Sequence, residues 1–200
     1  MSKNQTNYEL KHRPFVVLGL IAENPNGDHA YSINKKIEDR GMRNWTSIGV
    51  DFSLSTIYRI LEKFKKAKLV VSYLEEVDNR ERRVYKITDY GFTILKNKIF
   101  GVLKTFFGKK DEDFYVAYSM FPFLSKEEQI EAFTTSVNTI RIHKEELEKM
   151  LEKNSMLPIN VTGLFKHPIK ILQTDIEFLE WVLKEIKEGK NNFDPKAYGK

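Results

Sequence analysis

The sequence predicts a mainly α-helical protein interrupted once by a small β-hairpin, and three observations carry that expectation. Apolar residues recur at three- and four-residue steps through most of the chain, the period of a helix with one buried face. β-Branched and aromatic residues crowd together only in Val70–Val77 and Val84–Thr88, on either side of Asp78-Asn79-Arg80-Glu81, which reads as the turn of a hairpin. Charge is also unevenly placed. Residues 1–108 hold 19 Lys and Arg against 12 Asp and Glu, a net +7, whereas residues 109–200 hold 14 against 16, a net −2. A basic half joined to a weakly acidic one suggests that the first meets a polyanion and the second does something else.

In order along the chain, Met1–His12 is polar and aperiodic and reads as a loose arm. Arg13–Glu23 is dense in apolar residues and stops at Asn24-Pro25-Asn26-Gly27, a strong turn signal, so it reads as a mostly buried first helix. His29–Arg40 gives a second, short amphipathic helix, with Tyr31, Ile33 or Asn34, and Ile37 towards one face. Gly41–Phe52 is a long connection with Trp45 expected to pack back on the domain. Ser53–Lys68 is the third helix, and its two faces differ most. Leu54, Ile57, Leu61 and Phe64 form an apolar stripe, while Ser55, Thr56, Arg59, Lys63 and Lys66 fall on the other arc. Ser53 is placed to cap it. The hairpin follows, its tip bearing Arg80, Arg82 and Arg83 beside Asp78 and Glu81.

Three helices and then a basic hairpin is the order of a winged helix-turn-helix, in which one helix enters the DNA major groove and the hairpin touches the flanking backbone or minor groove. The segments FVVLGLIAEN, HAYSINKKI, SLSTIYRILEKFKKAKLV and RRVYKITDYG, with Tyr85, Thr88 and Gly91 in the last, resemble the PadR family of transcriptional regulators over about residues 14–95. The sequence departs from that family's pattern where Ala30 and Lys68 stand in place of glycine, and in a longer connection between the second and third helices. Lys68 would have to close its helix without glycine's easy access to positive φ. The resemblance implies a DNA-binding regulator that dimerises through its C-terminal helices and answers to phenolic or drug-like compounds.

A fourth helix reads from Tyr90 to about Phe107, and Phe114–Leu124 then sets five aromatic residues in eleven. Ser125-Lys126-Glu127-Glu128 fits a capping box, opening a long helix with Ile130, Phe133, Val137, Ile140, Leu147 and Leu151 on one seam and Lys144 interrupting it. Pro168 reads as the start of a last helix whose seam is Leu172, Ile176, Leu179, Leu183 and Ile186. These five are the candidate dimerisation residues, because two such helices bury little alone and two-fold DNA sites favour two-fold proteins; the alternative is that the two long helices pair only with each other inside one monomer.

The domain reading is therefore a flexible arm over 1–12, a winged-helix DNA-binding domain over 13–90, a linking helix over 91–108, and a helical dimerisation and effector domain over 109–200. Ser53, Ser55, Thr56 and Arg59 are candidates for base-edge contact, since the start of a recognition helix reaches deepest. Tyr58, Lys63, Lys66, Arg80, Arg82 and Arg83 suit phosphates, although Tyr58 reads equally well as a residue at the core's edge. Phe114, Tyr115, Tyr118, Phe121 and Trp181 are candidates for a pocket that takes a flat aromatic effector between the two halves. Filling the core is the simpler account of the same rings.

The mechanism expected is binding, not chemistry. His12, His29, His143 and His167 are scattered without metal-ligand spacing, and no phosphate loop, nucleophile elbow or dinucleotide fingerprint is present. No metal, cofactor or enzymatic activity is expected. The absence of cysteine excludes disulfides and thiolate sites, and no apolar run approaches the roughly 20 residues of a membrane helix. The expectation is a cytoplasmic homodimer on double-stranded DNA, acting as a repressor. The alternative is a winged-helix module for protein–protein assembly, its basic face merely solvated.

Overall fold

A computed structural model describes residues 8–42, 52–77, 80–107, 112–153 and 156–190. It is mainly helical with one antiparallel hairpin, in the order α1 (His12–Ala22), α2 (Ala30–Asp39), α3 (Leu54–Lys66), β1 (Val70–Val77), β2 (Arg80–Ile87), α4 (Asp89–Lys104), α5 (Glu112–Met120), a 3-10 turn (Phe121–Phe123), α6 (Lys126–Glu152) and α7 (Ile159–Lys187). Two compact units divide inside α4, one through Ile99 and the other from Phe100.

The first unit is a winged helix-turn-helix. Phe15, Val16, Val17, Leu18, Leu20 and Ile21 are all buried, so α1 is a central helix with no solvated face along most of its length. The turn after it ends at Gly27, whose φ of +86° suits glycine and whose missing side chain leaves room for the Tyr85 carbonyl. Asp28 then exchanges two backbone hydrogen bonds with Tyr85, its N–H donating to the Tyr85 carbonyl at 2.9 Å and its carbonyl accepting from the Tyr85 N–H at 2.8 Å. The hairpin is thereby tied to the start of α2. The Asp28 carboxylate, buried here, is met by Lys36 at 2.9 Å, and Arg40 forks onto Glu23 at 2.6 and 2.9 Å.

His29 caps α2, its Nδ1 accepting from the Ser32 N–H at 3.1 Å. The buried face of α2 is Ala30, Ile33 and Ile37. Tyr31, expected near that face, points outward at 66% exposure, because it stands two residues before Ile33 and a helix turns such a neighbour well away. Ser53 caps α3 as expected, accepting from the Thr56 N–H at 3.3 Å. The buried stripe of α3 is Ile57, Ile60, Leu61 and Phe64. Leu54 lies in the exposed first turn and Ile60 takes the place expected for it in the stripe. Each buried side chain contributes roughly 1.5–3 kcal/mol and the cap about 1 kcal/mol, so packing holds α3 and the cap fixes where it starts.

The end of α3 is a Schellman closure. The Leu69 N–H donates to the Phe64 carbonyl at 2.9 Å and the Lys68 N–H to Lys65 at 3.1 Å, with Lys68 at φ +58°. The left-handed position is therefore real, and a lysine occupies it at a cost of about 1–2 kcal/mol. Leu69 then accepts from the N–H of Thr88 at 3.0 Å, and the Thr88 hydroxyl donates to the Lys68 carbonyl at 2.8 Å with the Leu69 carbonyl 3.1 Å away. That hydroxyl also accepts from the Gly91 N–H at 3.0 Å and so caps α4. A Cβ at Gly91 would overlap the Leu69 carbonyl. The strands pair from Val70 with Ile87 to Val77 with Arg80. Arg80 and Glu81 thus belong to β2 and not to the turn, of which Asp78 and Asn79 lie outside the described residues, as does Trp45.

In the second unit the capping box is present: Ser125 accepts from the Glu128 N–H at 3.2 Å, and the Glu128 carboxylate accepts from the Ser125 N–H at 2.7 Å. Phe133, Val137 and Ile140 of α6 are buried, as are Leu172, Ile176, Leu179, Val182, Leu183 and Ile186 of α7, and the two helices pack together. α7 starts at Ile159 behind Pro158, so Pro168 stands inside the helix instead of opening it. The Leu164 carbonyl consequently has no helical donor at Pro168.

Two substitutions test the junction at Leu69. Lys68→Gly is expected to stabilise the chain by about 0.5–1 kcal/mol, relief of left-handed strain exceeding glycine's added unfolded-state entropy. Gly91→Ala is expected to destabilise it by about 1–3 kcal/mol through overpacking. Urea unfolding of both variants checks the opposite signs.

Candidate nucleic-acid interface

α3 presents its outward arc to solvent. Ser55, Arg59, Glu62 and Lys66 recur at steps of four, three and four and are all exposed, opposite the buried stripe. Thr56 and Lys63 form one flank of this arc, and Leu54, Tyr58 and Lys65 the other. The last turn of α3 carries Lys63, Lys65 and Lys66, where cations also complement the helix dipole.

The expected site residues are brought together unequally. Ser55, Tyr58, Arg59, Lys63 and Lys66 are exposed on α3. Ser53 is engaged in capping, its Oγ also lying 2.9 Å from Thr56 Oγ1 and 3.0 Å from Ser55 Oγ. At 48% exposure Tyr58 stands outside the core. On the wing, Arg82 is held across the hairpin by Glu75, at 2.7 Å from Nε and 2.6 Å from the guanidinium end. Arg83 is exposed and has no carboxylate partner among the described residues. Arg80 heads β2.

Sequence reasoning passed over three residues beside this arc. Glu62 lies on the outward face and accepts from the Tyr85 hydroxyl at 3.3 Å; burial, and then the Glu62 charge, raise the Tyr85 phenol's pKa. Arg13 and Tyr8 come from the segment where α1 begins and, with Pro14, line a cleft of about 150 Å³ against Thr56, Arg59, Ile60 and Lys63. Tyr8 is no loose arm residue: its ring meets Phe64 edge-on at 6.2 Å, and neighbouring Leu10 is buried. Arg13, on a different segment from Arg59 and Lys63 of α3, gave no linear signal; the fold gathers them.

In the second unit the expected effector rings form a cluster. Phe106 stacks on Phe114 at 3.8 Å, Phe114 lies 6.0 Å from Tyr118, and Tyr118 lies 5.5 Å from Phe121 and 5.4 Å from Phe178. Phe178 continues to Trp181 at 6.0 Å. Phe114 is buried, whereas Tyr115 and Trp181 are more than half exposed, so the cluster is packed at Phe114 and reaches solvent at these two rings. Burial raises the pKa of the Tyr118 phenol.

The seam expected to face a second chain is closed within the protomer: Leu172, Ile176, Leu179, Leu183 and Ile186 are all buried. The exposed apolar residues lie at the other end of the pair, with Ile142 and Met150 on α6 and Ile159, Leu164 and Ile171 on α7. Beyond Ile140 on α6 and before Leu172 on α7 no residue is buried. Among the described residues no group of carboxylates and histidines could hold a metal ion, and no helix is long and apolar enough to cross a membrane.

Residues 17–97 match the model of the transcriptional regulator PadR-like family. No curated protein sequence matches the chain. Similar solved structures include Bacillus subtilis PadR in complex with operator DNA, at 16% identity over 88% of this chain and 99% of that one, with a TM-score of 0.38. The same protein in complex with p-coumaric acid is 18% identical over 88% and 99%, TM-score 0.34. Smu.1604c from Streptococcus mutans UA159 is 16% identical over 86% and 98%, TM-score 0.36.

Asp175 gives the second unit a pH signature. Burial raises the pKa of its carboxyl, and its Oδ2 is buried without a hydrogen-bond donor. A carboxyl with a raised folded pKa binds its proton more tightly in the native state, so its contribution to stability falls as pH rises from the ordinary carboxylate value through the folded one. Asp175→Asn is expected to raise the urea midpoint at neutral pH, with the gain shrinking on acidification. A loss of stability at neutral pH would instead mean that a cation pairs with Asp175.

Proposed function

We propose, from the premise that residues 17–97 form a PadR-like transcriptional regulator domain, that this chain is a homodimeric repressor that reads a two-fold operator through α3. The observation that carries the reading is the exposed arc Ser55, Arg59 and Lys66, opposite a fully buried stripe and beside a hairpin whose Arg83 is unpaired among the described residues. Ser55 and Arg59 are the base readers, because short donors near the start of the helix and a forked guanidinium suit base edges. Lys63, Lys66 and Arg83 hold phosphates, and Tyr58 steadies the opposite flank. Arg82 contributes less, since Glu75 already neutralises it. Occupying the operator would block transcription without any chemical step.

The second copy is joined through the exposed end of the α6–α7 pair. Leu164 is 72% exposed and Met156 95%, and Leu164 and Ile171 are seven residues apart on one face of α7, the spacing of a seam that a partner helix covers. The effector reading rests on the exposed rings of Tyr115 and Trp181, with the Tyr118 phenol as its polar group. Its ligand would be a flat aromatic compound that binds the DNA-incompetent arrangement more tightly; a hundredfold preference corresponds to about 2.7 kcal/mol of coupling.

Binding-site selection from a random duplex pool is expected to converge on an inverted repeat. Arg59→Ala should then cost about 1–3 kcal/mol and relax the preference, while Arg83→Ala should weaken all sequences alike and lower the salt slope by about one. An unselective pool would favour the assembly-module alternative. For the dimer, Leu164→Glu combined with Ile171→Glu is expected to give soluble monomers by light scattering, whereas Leu179→Glu, inside the protomer's own core, should unfold the second unit.

A further inference from the structure

We propose that the cleft between the start of α1 and the flank of α3 is a phosphate site that takes one phosphodiester of the DNA backbone. This rests on the DNA-binding reading and adds to it a contact from outside both α3 and the wing. Arg13, Arg59 and Lys63 converge on a cleft of about 150 Å³, large against the roughly 30 Å³ a water occupies in the liquid. No carboxylate lines it, and none of the three pairs with a carboxylate among the described residues. Like charges gathered without a counter-charge repel one another, and an anion turns that repulsion into attraction.

The remaining polar groups narrow the class of anion. The Tyr8 and Thr56 hydroxyls add donors, and a guanidinium meets a phosphate with two parallel N–H groups. α1 presents its N-terminus at the same place, with no acidic residue in its first turn and no capping side chain, so nothing in the helix itself competes with an incoming anion. Location selects the source. Thr56 and Lys63 flank the outward arc of α3, so with that arc in a major groove the cleft faces the groove's wall, where the phosphates run. Arg13 would then fix how far α3 turns about its own axis in the groove.

The test measures binding of the full chain to a fluorescein-labelled mixed-sequence duplex by anisotropy over a salt series, alongside thermal unfolding with and without inorganic phosphate. Arg13→Gln is expected to weaken duplex binding roughly tenfold at low salt and to reduce the slope of log affinity against log salt by about one. Arg13→Lys should keep the slope and lose part of the affinity. Neither variant should melt below the wild type, because Arg13 is exposed and a cation at a helix N-terminus does not stabilise it. A wild type that binds with a steep slope beside an Arg13→Gln variant with the same slope and affinity overturns the cleft while the DNA-binding reading stands. If Arg13→Gln changes only the stabilisation by inorganic phosphate, the site takes a small free anion and the DNA assignment is overturned. A wild type indifferent to duplex at every salt concentration removes both.

Discussion

The Leu69 carbonyl is the joint on which the first unit depends. It accepts the backbone N–H of Thr88, whose hydroxyl bridges the neighbouring Lys68 and Leu69 carbonyls, and the Schellman closure of α3 delivers it to that place. Its proximity also forbids any side chain at Gly91. The end of α3, the root of the hairpin and the start of α4 meet there within a few bonds. A shift in the end of α3 therefore cannot be absorbed locally; it moves the hairpin and the start of α4 together. The resemblance to a glycine-bearing family gains a physical reason, since Lys68 adopts the left-handed conformation for which glycine carries no steric penalty.

With the end of α3 fixed, its rotation is set by Ile57, Ile60, Leu61 and Phe64, and the outward arc follows without further choice. That arc mixes a cation with a carboxylate, Arg59 with Glu62, which suits discrimination between base edges better than uniform attraction would. The purely cationic surface lies to the side, in Lys63 and Arg13. On the reading proposed above, base reading and phosphate holding are divided by the angular order of residues on α3 and the placement of the start of α1.

Much of this was legible in the sequence because it depends on local chemistry. Ser53 and Ser125 act as caps because a hydroxyl three residues before an amide reaches it in any helix, and the hairpin strands follow from β-branched density. What was not legible depends on distance. Leu54 and Tyr31 are apolar or aromatic residues at helix starts, where the periodic pattern has no preceding turn to fix its phase. Pro168 reads as a helix start by propensity, yet a 29-residue helix contains it. The partnership of Arg82 with Glu75 needed the strand register. The seam of α7 follows helix-partner spacing whichever helix covers it, so periodicity alone could not tell α6 of the same chain from a second copy. Arg13 was hidden for the same reason: the α3 residues that share its cleft, Thr56, Arg59, Ile60 and Lys63, stand more than forty residues away.

The central claim, that the outward arc of α3 lies in a major groove, is tested most directly by dimethyl sulfate footprinting on a selected binding site, which reports guanine N7 in the major groove and adenine N3 in the minor groove. The account predicts protection of guanine N7 in two half-sites about one helical turn or a multiple apart, and loss of that protection in Arg59→Ala. Binding that leaves every guanine N7 reactive, or protects only adenine N3, would contradict it.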